Sequence, residues 1–143
     1  MKVRITRIRP EAVLPEYKTP GACCFDLVCI EDDVIQPKEI KLLPTGLVVC
    51  VPPGYMLMVA SRSSTPRKKG LQIIQGVGIL DQDFCGPKDE LMLQVYNYTD
   101  APVEVKKGDR LYQAGFVPIE RAEWDEGPVA SEKTRGGFGS TGQ

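Results

Sequence analysis

The chain has 143 residues, 42% of them hydrophobic and 26% charged, with 18 Lys and Arg against 19 Asp and Glu and no His. That size carries a hydrophobic core without disulfides or metal, and the composition is neither that of a disordered chain nor that of a membrane span. The absence of His excludes a Ser-His-Asp triad, a Cys-His pair and a His-ligated zinc, while a formal net charge of −1 supplies no global basic field for nucleic acid.

Period-2 alternation dominates from the first residues and predicts strands. Lys2–Ile8 alternates charged and apolar side chains, so it is a strand and not the apolar core of a signal peptide. Phe25–Ile30 is a second strand. Ile40–Leu43 and Leu47–Val51 flank a turn at Pro44-Thr45-Gly46, and Pro52-Pro53-Gly54 precedes a strand over Tyr55–Ala60. Ser61–Lys69 holds a short helical turn at most. Leu71–Ile74 and Val77–Leu80 bracket Gln75-Gly76, which predicts a tight hairpin. Leu91–Tyr96, Val103–Val105 and Arg110–Val117 complete the series. The 14 Gly and 12 Pro exceed the average share of about 12% and fit many turns. Short strands at regular spacing predict an all-β sandwich or barrel. The five cysteines (Cys23, Cys24, Cys29, Cys50 and Cys85) form no C-x-x-C pair and suit a reducing compartment. No apolar run is long enough to cross a bilayer, and the chain reads as soluble and cytoplasmic.

The character changes near residue 125. Residues 1–124 form the β-rich core domain, and residues 125–143 form a glycine-rich arm with few large apolar side chains. Gly136-Gly137-Phe138-Gly139-Ser140-Thr141-Gly142 is less bland than an ordinary tail. Closely spaced Gly lets several backbone N–H groups converge on phosphate, hydroxyls add donors, and Phe138 can stack on a planar ring.

Four further segments carry polar groups at strand ends. Ser61-Arg62-Ser63-Ser64 sets a guanidinium beside hydroxyls, a phosphate-binding combination that singly reads as a surface turn. Asp81-Gln82-Asp83-Phe84 places a carboxylate where it can orient water, or merely cap its own turn. Gly108-Asp109-Arg110 turns toward Gln113, whose amide reads by default as an edge-strand group facing solvent. Cys24-Phe25-Asp26-Leu27 puts one acid at an apolar strand start.

Taken in order, these five segments resemble the five motifs of the trimeric dUTPase family, over about Pro20 to Gly142. The resemblance implies a jelly-roll-like all-β subunit of the β-clip type with a flexible C-terminal arm. It implies a homotrimer with three shared active sites, each closed by the arm of another subunit. It implies hydrolysis of dUTP to dUMP and pyrophosphate with Mg²⁺ carried on the triphosphate, no direct protein ligand to the metal, and no nucleic-acid or membrane partner. It implies that the product supplies dUMP for thymidylate synthesis and that the reaction keeps uracil out of DNA. Asp81 matches the catalytic acid that activates water against the α-phosphorus, with Asp26 in a supporting role. Arg62, Ser63, Ser64 and Gln113 match phosphate-side groups. Uracil is expected in the hairpin at Gln75, Ile79 and Leu80, with Phe84 stacked on the deoxyribose. Phe138 covers the uracil ring while Gly139, Ser140 and Thr141 wrap the phosphates. Arg135 or Lys133 meets the γ-phosphate, Arg135 being favoured because a guanidinium grips phosphate in two places.

The sequence departs from the family pattern at Cys24, where a Gly is usual, at Phe84 for Tyr, at Gln75 for Asn, and at Lys133 for the first Arg of the last motif. Two other readings compete. One is a dCTP deaminase, alone or bifunctional, from the same superfamily, for which Glu90 is the candidate base. The other is a non-catalytic nucleotide-binding regulatory protein.

Overall fold

The computed structural model describes residues 1–137. Eleven strands and one short helix follow one another: β1 Arg4–Arg7, β2 Phe25–Val28, β3 Asp33–Ile35, β4 Ile40–Pro44, β5 Leu47–Cys50, β6 Tyr55–Ser61, α1 Ser64–Lys69, β7 Leu71–Gln72, β8 Val77–Leu80, β9 Met92–Asn97, β10 Val103–Val105 and β11 Arg110–Pro118. Every strand expected from alternation is present, and β3 is an addition. Its three residues are too few to display a period.

Two sheets enclose the core. One has four strands in the order β2-β11-β6-β8, the other three in the order β4-β9-β7. Alternate residues point inward: Phe25 and Leu27 from β2, Leu57 and Val59 from β6, Leu93 and Val95 from β9, all nearly sealed from solvent. Small ladders β1-β5 and β3-β10 flank them. The architecture is all-β, as the alternation predicts.

Two local expectations are corrected. The predicted hairpin across Gln75-Gly76 is not a ladder: β7 pairs with β9 and β8 pairs with β6, so the turn carries the chain from one sheet to the other. Only Gly76, at φ +85°, shows the turn geometry that the sequence signalled. Gln113 does not sit on an edge either. It lies in β11, hydrogen-bonded between β2 and β6 in the middle of the larger sheet.

A β-bulge interrupts β11. Arg110 pairs with Val28 and Tyr112 with Leu27, leaving Leu111 as the extra residue. Leu111 and Tyr112 are therefore both buried in succession. Helix α1 is held by its second residue: Thr65 is buried and its hydroxyl donates to the Leu111 carbonyl at 2.6 Å. The helix ends at Gly70, which adopts φ +68° and whose hypothetical Cβ would come within 2.3 Å of the Thr99 methyl.

After β11 the chain runs exposed from Arg121 to Gly137 without helix or strand. Trp124 is 94% exposed there. No helix among the described residues is long and apolar enough to cross a membrane.

Candidate active site

The site residues form two groups at opposite ends of β6. The first gathers on the outer face of the larger sheet. Phe25 and Leu27 point into the core, so Asp26 between them points out, and its register partner on β11 is Gln113. In a regular strand Arg110, three residues before Gln113, would face the other way. The bulge at Leu111 reverses that, and Arg110 joins Asp26 as well. Asp26 Oδ1 lies 3.0 Å from Arg62 Nε, and Asp26 Oδ2 lies 2.9 Å from Arg110 Nη1. The carboxylate is only 12% exposed, against 30% and 42% for the two guanidinium side chains. Arg62 Nη1 also donates to the Arg110 carbonyl at 3.0 Å.

These arginines border a cleft of about 330 Å³ between α1 and the Gly108–Leu111 turn, which also receives Ser64 and Lys68. Asp109 builds the turn. Burial opposes its ionisation, but hydrogen bonds from the Lys106 N–H and the Lys69 ammonium outweigh that and hold its carboxyl below the usual range. Ser63, at the start of α1, is exposed beside this cleft. The group is a partly exposed cluster of positive charge fixed by hydrogen bonds, which suits it to bind phosphate oxygens.

The second group surrounds the chain crossing from β7 to β8. A cavity of about 240 Å³ lies between Gln75, Ile79 and Leu80 on one side and Val59, Gln94 and Tyr112 beneath. That volume is below the roughly 300–1,000 Å³ of whole-ligand pockets and suits a single ring. The turn above it is pinned by the Ile73 N–H donating to Ser61 Oγ at 3.2 Å. Asp81 follows β8 directly and opens into a cleft of about 450 Å³ shared with Tyr55, Met56, Asp83 and Arg121. Gln82 Nε2 donates to the Tyr55 carbonyl at 3.0 Å and fixes the loop, while Phe84 stays 41% exposed. Among the described residues nothing hydrogen-bonds the Asp81 carboxylate, so it is not spent on capping its own turn.

The two groups do not meet within one chain. Leu80 pairs with Leu57, so Asp81 stands beside the start of β6, whereas Arg62 follows its end. Six strand residues separate those levels by about 20 Å. Lys133 and Arg135 lie in the exposed segment beyond β11 and line none of the three clefts described above. Phe138, Gly139, Ser140 and Thr141 lie outside the described residues.

One departure from the family pattern, Cys24, and the rival reading's candidate base, Glu90, have a local account. Cys24 does not take a positive φ, since Lys38 alone among the described non-glycine residues does, and so no glycine is required there. Room for its side chain comes from Gly115, where an added Cβ would lie 3.2 Å from Cys24 Sγ. Glu90 is engaged: it accepts the Gly46 N–H at 2.7 Å and pairs with Arg9 at 3.2 Å. Among the described residues no three His, Cys, Asp or Glu side chains cluster to cage a metal. The sequence reading gave Arg110 no role, although Gly108-Asp109-Arg110 was the signal that could have found it.

A family model described as dUTPase matches residues 10–142. The deoxyuridine 5′-triphosphate nucleotidohydrolase of Lactococcus lactis is 38% identical over 99% of both chains. The protein of the same name from Nautilia profundicola is 37% identical over the full length of both. The crystal structure of dUTPase from Streptococcus mutans superposes with a TM-score of 0.78 at 33% identity, covering 87% of this chain and all of that one.

Proposed function

The chain belongs to the dUTPase family and is an enzyme of dUTP hydrolysis, and from that premise we propose that it produces dUMP and pyrophosphate through a water molecule oriented by Asp81. The observation that carries the mechanism is the uncommitted Asp81 carboxylate at the mouth of an open cleft, one residue from the single-ring cavity at Leu80.

Uracil enters that cavity and meets main-chain groups near Ile79 and the Gln75 amide. Cytosine leaves those groups unpaired, which discriminates strongly against it. Phe84 packs on the deoxyribose and leaves no room for a 2′-hydroxyl. Arg62, Ser63, Ser64 and Gln113 hold the phosphates, and Asp81 takes up the proton as water attacks the α-phosphorus in line. Developing charge on the phosphate oxygens is met by the fixed Arg62 guanidinium. When bound with the substrate, Mg²⁺ would supply neutralisation of phosphate charge, with no side chain of this chain assigned to hold it. Asp26, bound to two arginines, is a support for Arg62 in this reading.

Asp81 and Arg62 stand about 20 Å apart in one chain, farther than two groups acting on one phosphorus can be. We therefore read the working unit as an oligomer in which different copies supply them, and the resemblance to the trimeric dUTPase family makes the number three. An outward apolar patch supports this: Ile79 lies across from Met58 and Val77 across from Ala60, with Ile79 55% exposed. The residue 125–143 arm then closes the site, Phe138 over uracil and Gly139, Ser140, Thr141 and Arg135 or Lys133 around the phosphates. The cytoplasm is the proposed location. The engagement of Glu90 by Gly46 and Arg9 leaves the deaminase reading without its candidate base.

A product assay with Mg²⁺ and separate dUTP, dCTP, dTTP, UTP and dATP tests this. Conversion of dUTP alone to dUMP and pyrophosphate is expected. A uracil nucleotide formed from dCTP would overturn the proposed specificity, and no product from any of the five would overturn the catalytic reading.

A further inference from the structure

One carboxylate and one guanidinium cancel. If Asp26 paired with Arg62 alone, the phosphate-side cluster would carry no net charge at that point, and a buried-side acid would screen the arginine from its ligand. Arg110 changes the balance. The trio of Asp26, Arg62 and Arg110 keeps a net charge of +1, with one carboxylate oxygen assigned to each guanidinium.

Geometry reinforces the charge argument. Asp26 is held at 12% exposure between two partly exposed guanidiniums, at 3.0 Å and 2.9 Å. Arg62 spends Nε on Asp26 and one Nη1 hydrogen on the Arg110 carbonyl. Of its five N–H donors, that leaves three for a ligand. The same residue, Arg110, thus fixes Arg62 twice, through its own main chain and through the acid it neutralises. The other cations near the cleft do not substitute: Lys69 is bound to Asp109 at 2.7 Å, and Lys68 makes no ion pair with Asp26.

We propose that Arg110 is a positioning residue for the phosphate site, acting through Asp26 to keep the Arg62 guanidinium oriented and its charge available to a triphosphate. The proposal rests on the dUTP reading above and deepens it.

The test is binding to the full-length protein of the non-hydrolysable imido analogue dUPNHPP, set against 2′-deoxyuridine, which has no phosphate. Calorimetry on wild type, Arg110→Gln, Arg110→Lys and the double variant Asp26→Asn/Arg110→Gln reads both ligands. Arg110→Gln is expected to weaken dUPNHPP about 10- to 100-fold and to leave deoxyuridine within about twofold. Arg110→Lys restores charge and recovers most of the loss. The double variant also recovers affinity, because Asn removes the surplus negative charge while its side-chain oxygen still accepts from Arg62 Nε. A double variant no better than Arg110→Gln would overturn the proposal, as would parallel loss of both ligands, the mark of a merely structural role. If Arg110→Gln fails to fold, the Lys variant decides: affinity within about tenfold of wild type supports the charge role, and any larger loss overturns it. Failure of wild type itself to bind dUPNHPP would sink the dUTP reading instead, so the two failures are distinct.

Discussion

The Tyr112 hydroxyl donates a 2.6 Å hydrogen bond to the main-chain carbonyl of Gln94 and so ties the larger sheet to the smaller one beneath the single-ring cavity. Tyr112 is fully buried, and burial pushes its phenol above its ordinary range. Replacing it by Phe keeps the ring and orphans the Gln94 carbonyl. A loss of about 1–3 kcal/mol is expected, read as a Tm lower by about 4–10 °C in calorimetry. An unchanged Tm would mean that the bond contributes nothing net.

Asp81→Asn removes the proposed base without changing the size of the side chain. Turnover of dUTP is expected to fall about 10²–10⁴-fold, while affinity for dUPNHPP stays near that of wild type. Wild-type rates in that variant would rule Asp81 out as the base. Loss of binding together with rate would make it a binding group instead.

Removing the residues after Thr134 takes away Arg135 and the glycine-rich motif but none of the core residues. The truncated protein is expected to keep its oligomeric state by light scattering and its Tm. Its dUTP turnover should drop by about 10²-fold or more, because the phosphates lose their cover and their orientation. Full activity after truncation would show that the arm does not close the site.

Cys29 gives a pH prediction. Burial chiefly, and then the nearby Asp109 charge, push its thiol up to about 12 from an ordinary value of 9.0. The folded state therefore holds the thiol protonated where the unfolded chain releases it. That contribution to stability is complete below pH 9.0 and is lost as pH rises toward about 12. Thermal denaturation over that window should show a steeper fall in Tm for wild type than for Cys29→Ala, although the variant starts lower because it leaves a small void. Parallel slopes would refute the assignment to Cys29.

Asp81, Arg62, Asp26 and Gln113 stand out along the chain as polar residues interrupting an apolar alternation, but each read singly as a turn or surface group, and only the order of the five motifs, resembling a known family, gave them roles. The strand pattern itself was readable because burying one face of a sheet demands a period of two. What misled was locality. Gln75-Gly76 looked like a hairpin turn, and Gly76 does turn, but β7 and β8 take partners more than a dozen residues away. Turn chemistry constrains only the turn, whereas pairing is chosen by which apolar faces the whole chain can bury together.

By itself the sequence determined the all-β class, the residue types available for chemistry without His, and the polar-glycine character of the last segment. These follow from composition and short-range periodicity, which need no partner strand. Only the tertiary structure decided that Arg110 and Gln113, at a spacing that alternation assigns to opposite faces, share one face. The extra residue Leu111 reverses the alternation, and it is present because Leu111 and Tyr112 both gain by entering the core. The same folding placed Asp81 and Arg62 at opposite ends of β6, a separation no local pattern can encode, because it depends on which strand lies beside which.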